Sequence, residues 1–141
     1  MKREIYDEDH EAFRSSVREF LERSVIPNVE QHAVDKAIPR EFWLEAGKQG
    51  FLGLEIPEEY GGAGAEDYRF NAVMAEELSK VNAALGSCWG IHADITAPYI
   101  VAMGTEEQKQ RWLPGVAAGE TLLAIGMTEP SGGSDLAALK R

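Results

Sequence analysis

Asn82-Ala83-Ala84-Leu85-Gly86-Ser87-Cys88-Trp89-Gly90-Ile91-His92-Ala93-Asp94-Ile95-Thr96-Ala97-Pro98-Tyr99-Ile100-Val101-Ala102-Met103 is a stretch of mostly small and apolar residues. A helix that is apolar nearly all round must be buried on several sides or line a cavity. Pro98 is expected to kink or break this helix, because proline lacks the backbone N–H that a helix uses. The stretch predicts a mainly α fold organised around a buried helix.

Three polar residues, His92, Asp94 and Thr96, lie within this predicted helix. His92 and Asp94 are two positions apart, so they face different directions and do not form a His/Asp dyad. We interpret all three as hydrogen-bonded residues of a helical core or of the edge of a ligand cavity. Cys88, the single cysteine, is interpreted as a small core residue, and a reactive thiol near His92 is the alternative.

Further helices are predicted before this stretch. Asp7 is an N-cap with acids in the first turn after it, and Pro39 is placed to begin a short aromatic helix. Residues 66–80 carry apolar side chains at helical spacing. Within them we interpret Glu76 and Glu77 as solvated or interface charges. Short helices that follow one another predict an antiparallel helical domain.

Two connectors separate these helices. Residues 51–57 are apolar and are expected to pack under the helices. Residues 58–64 are rich in glycine, but no Lys-Ser/Thr follows and no clear strand precedes them, so a sharp turn is favoured over a phosphate cradle.

The chain changes character after the last predicted helix. Thr105 and Gln108 form a capping box that begins that helix, Pro114 should shorten or bend it, and Gly119 should end it. The apolar run at residues 121–127 then predicts a buried strand. A lone strand is not a stable unit, so it needs partner strands that this chain does not contain.

A loop rich in turn-forming residues follows the predicted strand. Gly132 and Gly133 permit positive φ and close backbone approach, and Thr128 and Ser134 add hydroxyl groups. Such a loop can bind carbonyl, ring-nitrogen or phosphate acceptors, although most loops of this composition are only turns.

Composition narrows the class of protein. The chain has 141 residues, a net charge of −10, 44% hydrophobic residues and 27% charged residues, as in globular domains. The absence of Lys/Arg clusters argues against nucleic acid, and no apolar run is long enough for a membrane span. One cysteine and the absence of a secretory segment indicate an intracellular protein, cytoplasmic in a bacterium or otherwise intracellular. His10, His32 and His92 lack metal-ligand spacing, so no metal site is predicted.

Four stretches, in this order, resemble the acyl-CoA dehydrogenase family, most closely its long-chain-type or general bacterial members. They are Ile56-Pro57-Glu58-Glu59-Tyr60-Gly61-Gly62, Gly104-Thr105-Glu106-Glu107-Gln108-Lys109-Gln110-Arg111-Trp112-Leu113-Pro114, Gly119-Glu120, and Met127-Thr128-Glu129-Pro130-Ser131-Gly132-Gly133-Ser134-Asp135. The last resembles the family's flavin-contacting loop. The resemblance extends over essentially the whole chain.

The resemblance implies the amino-terminal third of a homotetrameric FAD enzyme. Residues 1–119 would form the all-α domain, and residues 120–141 would begin a β-barrel domain that is cut off. The cofactor-binding residues implied are Ile125, Met127 and Thr128 along the flavin ring, and Gly133 and Ser134 at the pyrophosphate. Ser134 would also lie near the bound thioester, and the implied wall of the acyl pocket contains Trp89, Gly90 and Asp94.

The implied reaction is α,β-dehydrogenation of a fatty acyl-CoA thioester in β-oxidation, with electron-transfer flavoprotein as the acceptor. The family's base is a Glu in a carboxy-terminal domain that this chain lacks, so no residue here is assigned a catalytic role and the chain alone should be inactive. Two alternatives stay open. The parent could be a related acyl-CoA or nitroalkane oxidase, or the chain could be a non-catalytic helical interaction module.

Overall fold

The computed structural model describes residues 4–130 and 132–139, so Ser131 of the loop motif and the terminal Lys140 and Arg141 lie outside the described residues. Seven α-helices occur in the described part: α1 (Glu8–Ser24), α2 (Val29–Asp35), α3 (Arg40–Lys48), α4 (Arg69–Val81), α5 (Ala83–Trp89), α6 (Ala97–Met103) and α7 (Glu106–Ala117). A π-helical segment, Gly90–Thr96, joins α5 to α6, and short 3₁₀ turns occupy Ile26–Asn28, Glu58–Tyr60 and Leu136–Ala138. The predicted mainly α fold is confirmed.

The main core lies between α1, α3, α4, α5 and the connector at residues 51–57. Its members are buried apolar side chains, many of them aromatic: Val17, Phe20, Leu21, Val25, Phe42, Trp43, Ala46, Phe51, Leu52, Leu54, Met74, Leu78, Leu85 and Trp89. Burying each large apolar side chain stabilises the fold by roughly 1.5–3 kcal/mol. The connector contributes Phe51, Leu52 and Leu54, which confirms that it packs under the helices.

A second, smaller apolar cluster lies where the Gly-rich turn meets α7. It consists of Ile56, Tyr60, Ala97, Leu113, Val116 and Ala117. The Tyr60 hydroxyl donates a hydrogen bond of 2.7 Å to Glu106 in the first turn of α7. That hydrogen bond, with burial and the charge of Glu106, raises the pKa of Tyr60 to about 12. The turn therefore anchors the start of α7, and the capping box of Thr105 and Gln108 is present as predicted.

Glu77 corrects one prediction, since it is neither solvated nor an interface charge. Its side chain is only 3% exposed and lies between α1 and α4. Arg14 and Lys80 donate to Oε1 at 2.7 Å each, and Arg18 donates to Oε2 at 2.8 Å. A buried carboxylate is tolerated when it is paired and hydrogen-bonded, and these three cations meet that condition.

The helical stretch at residues 83–103 is buried on one side rather than on several. Leu85, Trp89, His92 and Ala97 face the core, whereas Cys88 is exposed. The prediction that Cys88 is a core residue is therefore wrong. Cys88 lies on the side of α5 that lines an open groove of about 480 Å³ between α2 and α5. Small residues such as alanine are compatible with an exposed face, so composition alone overestimated burial.

Gly119 fixes how the chain leaves α7. It has φ +72°, and a Cβ at this position would lie 2.1 Å from the Trp43 carbonyl oxygen. Only glycine combines this left-handed backbone with so close an approach. The segment after α7 therefore starts from a fixed point against α3.

The predicted buried strand at residues 121–127 is absent from the described structure. The segment has no regular secondary structure and forms no ladder, and Leu122, Ile125 and Met127 are exposed. The one β-type contact in this region is an isolated bridge between Glu129 and Gly132. A strand requires a neighbouring strand to pair its N–H and C=O groups, and none lies beside this segment.

Residues 4–130 and 132–139 contain neither a membrane-spanning helix nor a metal-binding cluster. No helix there combines the length and the apolar character that crossing a bilayer requires. No group of three or more His, Cys, Asp or Glu side chains there is placed to hold a metal ion.

Candidate functional site

The candidate site has two parts, the π-helical segment Gly90–Thr96 and the segment after α7 at residues 121–130 and 132–135. Single π-helical turns within α-helices are rare and occur frequently at functional sites. The two parts meet through one hydrogen bond, from the Leu123 backbone N–H to Nδ1 of His92 at 3.1 Å. Two regions that the sequence predicted separately are thus joined in the fold.

His92 is a buried, neutral acceptor. Its side chain is 1% exposed and packs edge-on against the Trp43 ring, with ring centroids 5.5 Å apart. Burial lowers the pKa of His92, and the nearby Val116 carbonyl opposes that shift without cancelling it. Because Nδ1 accepts a hydrogen bond, the proton of the neutral ring belongs on Nε2, which is buried and has no partner within hydrogen-bonding geometry among the described residues.

The structure does not confirm the prediction that the Thr96 side chain is hydrogen-bonded. Its Oγ1 is buried and has no hydrogen-bond partner among the described residues. In an α-helix a threonine hydroxyl often bonds the carbonyl four residues earlier, here that of His92. In the π-helical segment the His92 carbonyl accepts the N–H of Ala97, five residues on.

Trp89 and Gly90 occupy different environments. Trp89 is 1% exposed, and its indole N–H donates to the Phe51 carbonyl at 3.1 Å, so the ring belongs to the main core. Gly90 begins the π-helical segment, and a Cβ added there would meet nothing within 4 Å. Of these two neighbours, Gly90 is the one beside open space.

Asp94 lies in a polar cluster that the sequence did not reveal. Its Oδ2 accepts from the Tyr68 hydroxyl and its Oδ1 accepts from the Asn71 amide, each at 2.9 Å. The hydrogen bond to Asp94 is the largest cause that raises the pKa of Tyr68. Burial raises the pKa of the Glu55 carboxyl, and the charge of Asp94 adds to this effect. Asp94 is therefore held in one orientation by Asn71 of α4 and by Tyr68, which directly precedes α4.

The loop part of the segment after α7 is open to solvent. Ile125 is 37% exposed and Met127 is 45% exposed, and Thr128 and Ser134 are also exposed. Backbone hydrogen bonds between Glu129 and Gly132, of 2.8 and 3.1 Å, close the turn. The loop thus presents apolar side chains, hydroxyls and backbone on one accessible segment.

These groups fit one wall of a flavin site. A Cβ added at Gly126 would meet nothing within 4 Å, and at Gly133 only the Thr128 methyl at 3.9 Å, so another molecule can approach the backbone. The exposed Ile125 and Met127 side chains suit an aromatic ring, and hydroxyl and N–H donors suit ring carbonyls and phosphate. The fit concerns one side only, because the described residues do not enclose the loop.

The sequence missed the contacts that organise this site. It did not predict the His92–Leu123 hydrogen bond or the pairing of Tyr68 and Asn71 with Asp94. A lone histidine in an apolar helix was the signal for the first contact, but its partner lies 31 residues away. The second contact has no local signal, because α4 and the π-helical segment meet only in the folded domain.

Comparisons with known proteins show which family this chain resembles. The family model for the "Acyl-CoA dehydrogenase, N-terminal domain" matches residues 7–120. The rat mitochondrial long-chain specific acyl-CoA dehydrogenase is 43% identical over 134 residues, which is 95% of this chain and 31% of the rat protein. The chain therefore spans about a third of the length of the curated relatives it matches.

Solved structures agree with this relationship. An acyl-CoA dehydrogenase from Geobacillus kaustophilus superimposes with a TM-score of 0.91 and 44% identity, over 98% of this chain and 36% of that one. An acyl-CoA dehydrogenase from Bacillus anthracis, complexed with FAD, gives a TM-score of 0.85 and 36% identity, over 99% of this chain and 24% of that one. These matches cover nearly the full chain, and their sequence identities indicate a family relationship in addition to a common fold.

Proposed function

The chain belongs to the acyl-CoA dehydrogenase family, and from that premise we propose that it is the amino-terminal part of an FAD-dependent acyl-CoA dehydrogenase. Residues 1–119 form the helical domain, and residues 120–141 begin a β domain completed by chain beyond this sequence. The proposal includes α,β-dehydrogenation of a fatty acyl-CoA thioester. The observation that carries it is the exposed loop at residues 125–130 and 132–134, which presents flavin-compatible groups directly after the family's domain.

In this proposal the loop residues bind the cofactor. Ile125 and Met127 pack along the flavin ring, and the Thr128 hydroxyl bonds its polar edge. Gly133 and Ser134 contact the pyrophosphate, where a glycine backbone allows close approach. The bound flavin supplies the acceptor for the hydride that leaves the substrate's β carbon. The residues of this chain position the cofactor and hold no catalytic proton.

The π-helical segment is proposed to form part of the acyl pocket. Gly90 has open space beside it, which suits an apolar chain. Asp94 is fixed by Tyr68 and Asn71, so it serves as a rigid edge rather than a mobile base. The Trp89 ring supports this wall from behind, since it is buried in the core. Ser134 approaches the thioester from the loop side.

The remaining parts of the proposal concern the whole protein. The base that removes the α proton is a carboxylate from the carboxy-terminal domain, so the present chain alone has no activity. Electron-transfer flavoprotein accepts the electrons, and subunits assemble as a homotetramer in the cytoplasm of a bacterium or in another intracellular compartment. These features rest on the resemblance to the family and require the longer protein.

The test is spectroscopic. The full-length protein that contains this chain should show flavin absorbance and a subunit mass well above 15.5 kDa. Thr128→Val should raise the FAD dissociation constant about tenfold, because one hydrogen bond is lost. Ser16→Ala is the control, since its hydroxyl bonds only its own helix at Ala12. A full-length protein that takes up no FAD would overturn the proposal.

A second function, a helical interaction module, is favoured by one observation. Ile95, Tyr99 and Met103 recur at intervals of four residues, and all three side chains are exposed. Such a stripe can bind a partner helix. A colourless natural species of 15.5 kDa that binds no FAD would support the module and not the enzyme.

A further inference from the structure

We infer that His92 is a positioning residue that fixes the cofactor-binding segment relative to the acyl-pocket helix. This inference rests on the proposed function for its cofactor half, while its structural half concerns the described chain alone. No motif assigns His92 a role. His92 joins the two parts of the candidate site, and this position assigns it the role of a positioning residue.

The first argument is geometric. Nδ1 of His92 accepts the Leu123 N–H at 3.1 Å, and Leu123 lies two residues before Ile125 and five before Thr128. No strand pairs with this segment among the described residues, and the His92 side chain supplies the acceptor for the Leu123 N–H. The position of the loop thus depends on a residue of the π-helical segment.

The second argument concerns rigidity. His92 is 1% exposed and its ring is held edge-on by Trp43, whose carbonyl also lies against Gly119. The Leu123 side chain packs on the second apolar cluster, which includes Ala97, Leu113 and Val116. His92 therefore acts from a fixed platform. A positioning residue must itself be locked in this way to transmit geometry.

The third argument is chemical. Leu123 N–H requires a lone pair at Nδ1, so only the neutral Nε2–H tautomer of His92 performs this role. Asparagine places its Oδ1 near the position of Nδ1 and retains an acceptor. Leucine has a similar size and has no acceptor. The two substitutions therefore separate hydrogen bonding from packing.

The first test uses the 141-residue chain and measures amide hydrogen exchange at Leu123. In His92→Leu, Leu123 should exchange about tenfold faster relative to the core amides of α4, because one hydrogen bond is lost. His92→Asn should restore protection to within about twofold. His10→Leu is the matched control, since His10 is the other histidine buried to a similar degree and it caps α1 instead. Unchanged exchange at Leu123 in His92→Leu would overturn the inference.

The second test uses the FAD-bound full-length protein. His92→Leu should raise the FAD dissociation constant about tenfold and shift the visible flavin spectrum, and His92→Asn should reverse both changes. His10→Leu should leave the flavin spectrum unchanged even where it lowers stability. A wild-type protein without FAD defeats the proposed function and the cofactor half of this inference, whereas a normal flavin spectrum in His92→Leu defeats the inference alone.

Discussion

At the scale of single residues, Glu77 shows how a buried charge is made tolerable. Burial by itself raises the pKa of its carboxyl, but hydrogen bonds from Arg18, Lys80 and Arg14 outweigh burial and lower the pKa to about 2. Arg14 also bonds Glu76 at 2.8 Å, so α1 and α4 are joined by a small ionic network. Within this network Arg14 and Glu77 are the buried members, so the loss of either charge removes a partner from a buried ion.

We therefore expect Glu77→Gln to lower the free energy of unfolding by about 3 kcal/mol. The uncharged amide removes the buried charge that Arg14, Arg18 and Lys80 share, while Arg14 keeps its ion pair with Glu76 at 2.8 Å. Urea denaturation measures the change. Glu19→Gln, at an exposed position of α1, should change stability by less than about 0.5 kcal/mol, and equal effects of the two substitutions would contradict this prediction.

The same carboxylate predicts acid sensitivity. Its pKa is about 2 in the folded chain against an ordinary 4.5, so the folded state binds fewer protons between these values. The stabilisation is complete above pH 4.5 and is lost as pH falls toward 2. Denaturation followed from pH 6 to pH 2 should show this decline, worth about 3 kcal/mol. Glu77→Gln should show a flatter profile, and identical profiles would argue against the assignment.

At the scale of elements, glycine controls how helices follow one another. Gly119 and Gly50 both have positive φ, but a Cβ at Gly119 would meet the Trp43 carbonyl at 2.1 Å and a Cβ at Gly50 would meet nothing within 4 Å. A residue with a side chain at Gly119 would therefore suffer both backbone strain and a clash with α3. At Gly50 the same residue would suffer backbone strain only.

This difference predicts unequal effects of the same substitution. Gly50→Ala should lower the free energy of unfolding by about 1–2 kcal/mol, the cost of a left-handed L-residue. Gly119→Ala should lower it by at least about 3 kcal/mol, because α3 and α7 must also separate. Thermal and urea unfolding of both variants provide the comparison, and equal losses would show that the close contact is relaxed at little cost.

At the scale of the whole molecule, several apolar side chains are left uncovered by the described residues. Ile95, Tyr99 and Met103 are exposed on the π-helical segment and α6, and Leu122 and Met127 are exposed after α7. The chain spans about a third of its relatives' length, and we propose that the rest of the longer protein covers these side chains. Burial of such a surface is a normal source of domain association.

The 141-residue chain by itself should accordingly bind apolar dyes and self-associate at high concentration. Replacing Ile95, Tyr99 and Met103 together by serine should reduce dye fluorescence severalfold and shift sedimentation toward the monomer. Replacing the exposed apolar Val34 of α2 by serine is the control, because it lies on another helix. A wild-type chain that is monomeric and binds no dye would contradict this view of the surface.

Local chemistry in the sequence determined much of the helical fold. The Asp7 cap, the Thr105–Gln108 capping box and the sharp glycine turns act over a few residues, and the structure contains them. The spaced motifs also identified the family, because they are read directly from residue order. The Met127–Asp135 motif marked the loop for the same reason.

Tertiary structure decided what depends on distant partners. Glu77 is buried because three cations from α1 and α4 converge on it, and Cys88 is exposed because no element covers its side of α5. Residues 121–127 have a strand-like sequence but no strand, since pairing needs a neighbouring strand that the described residues do not supply. His92 acquires its role only when Leu123 is brought to it across 31 residues. Hydrogen bonds and burial between remote segments leave no periodic signal along the chain, and that is why only the folded structure revealed them.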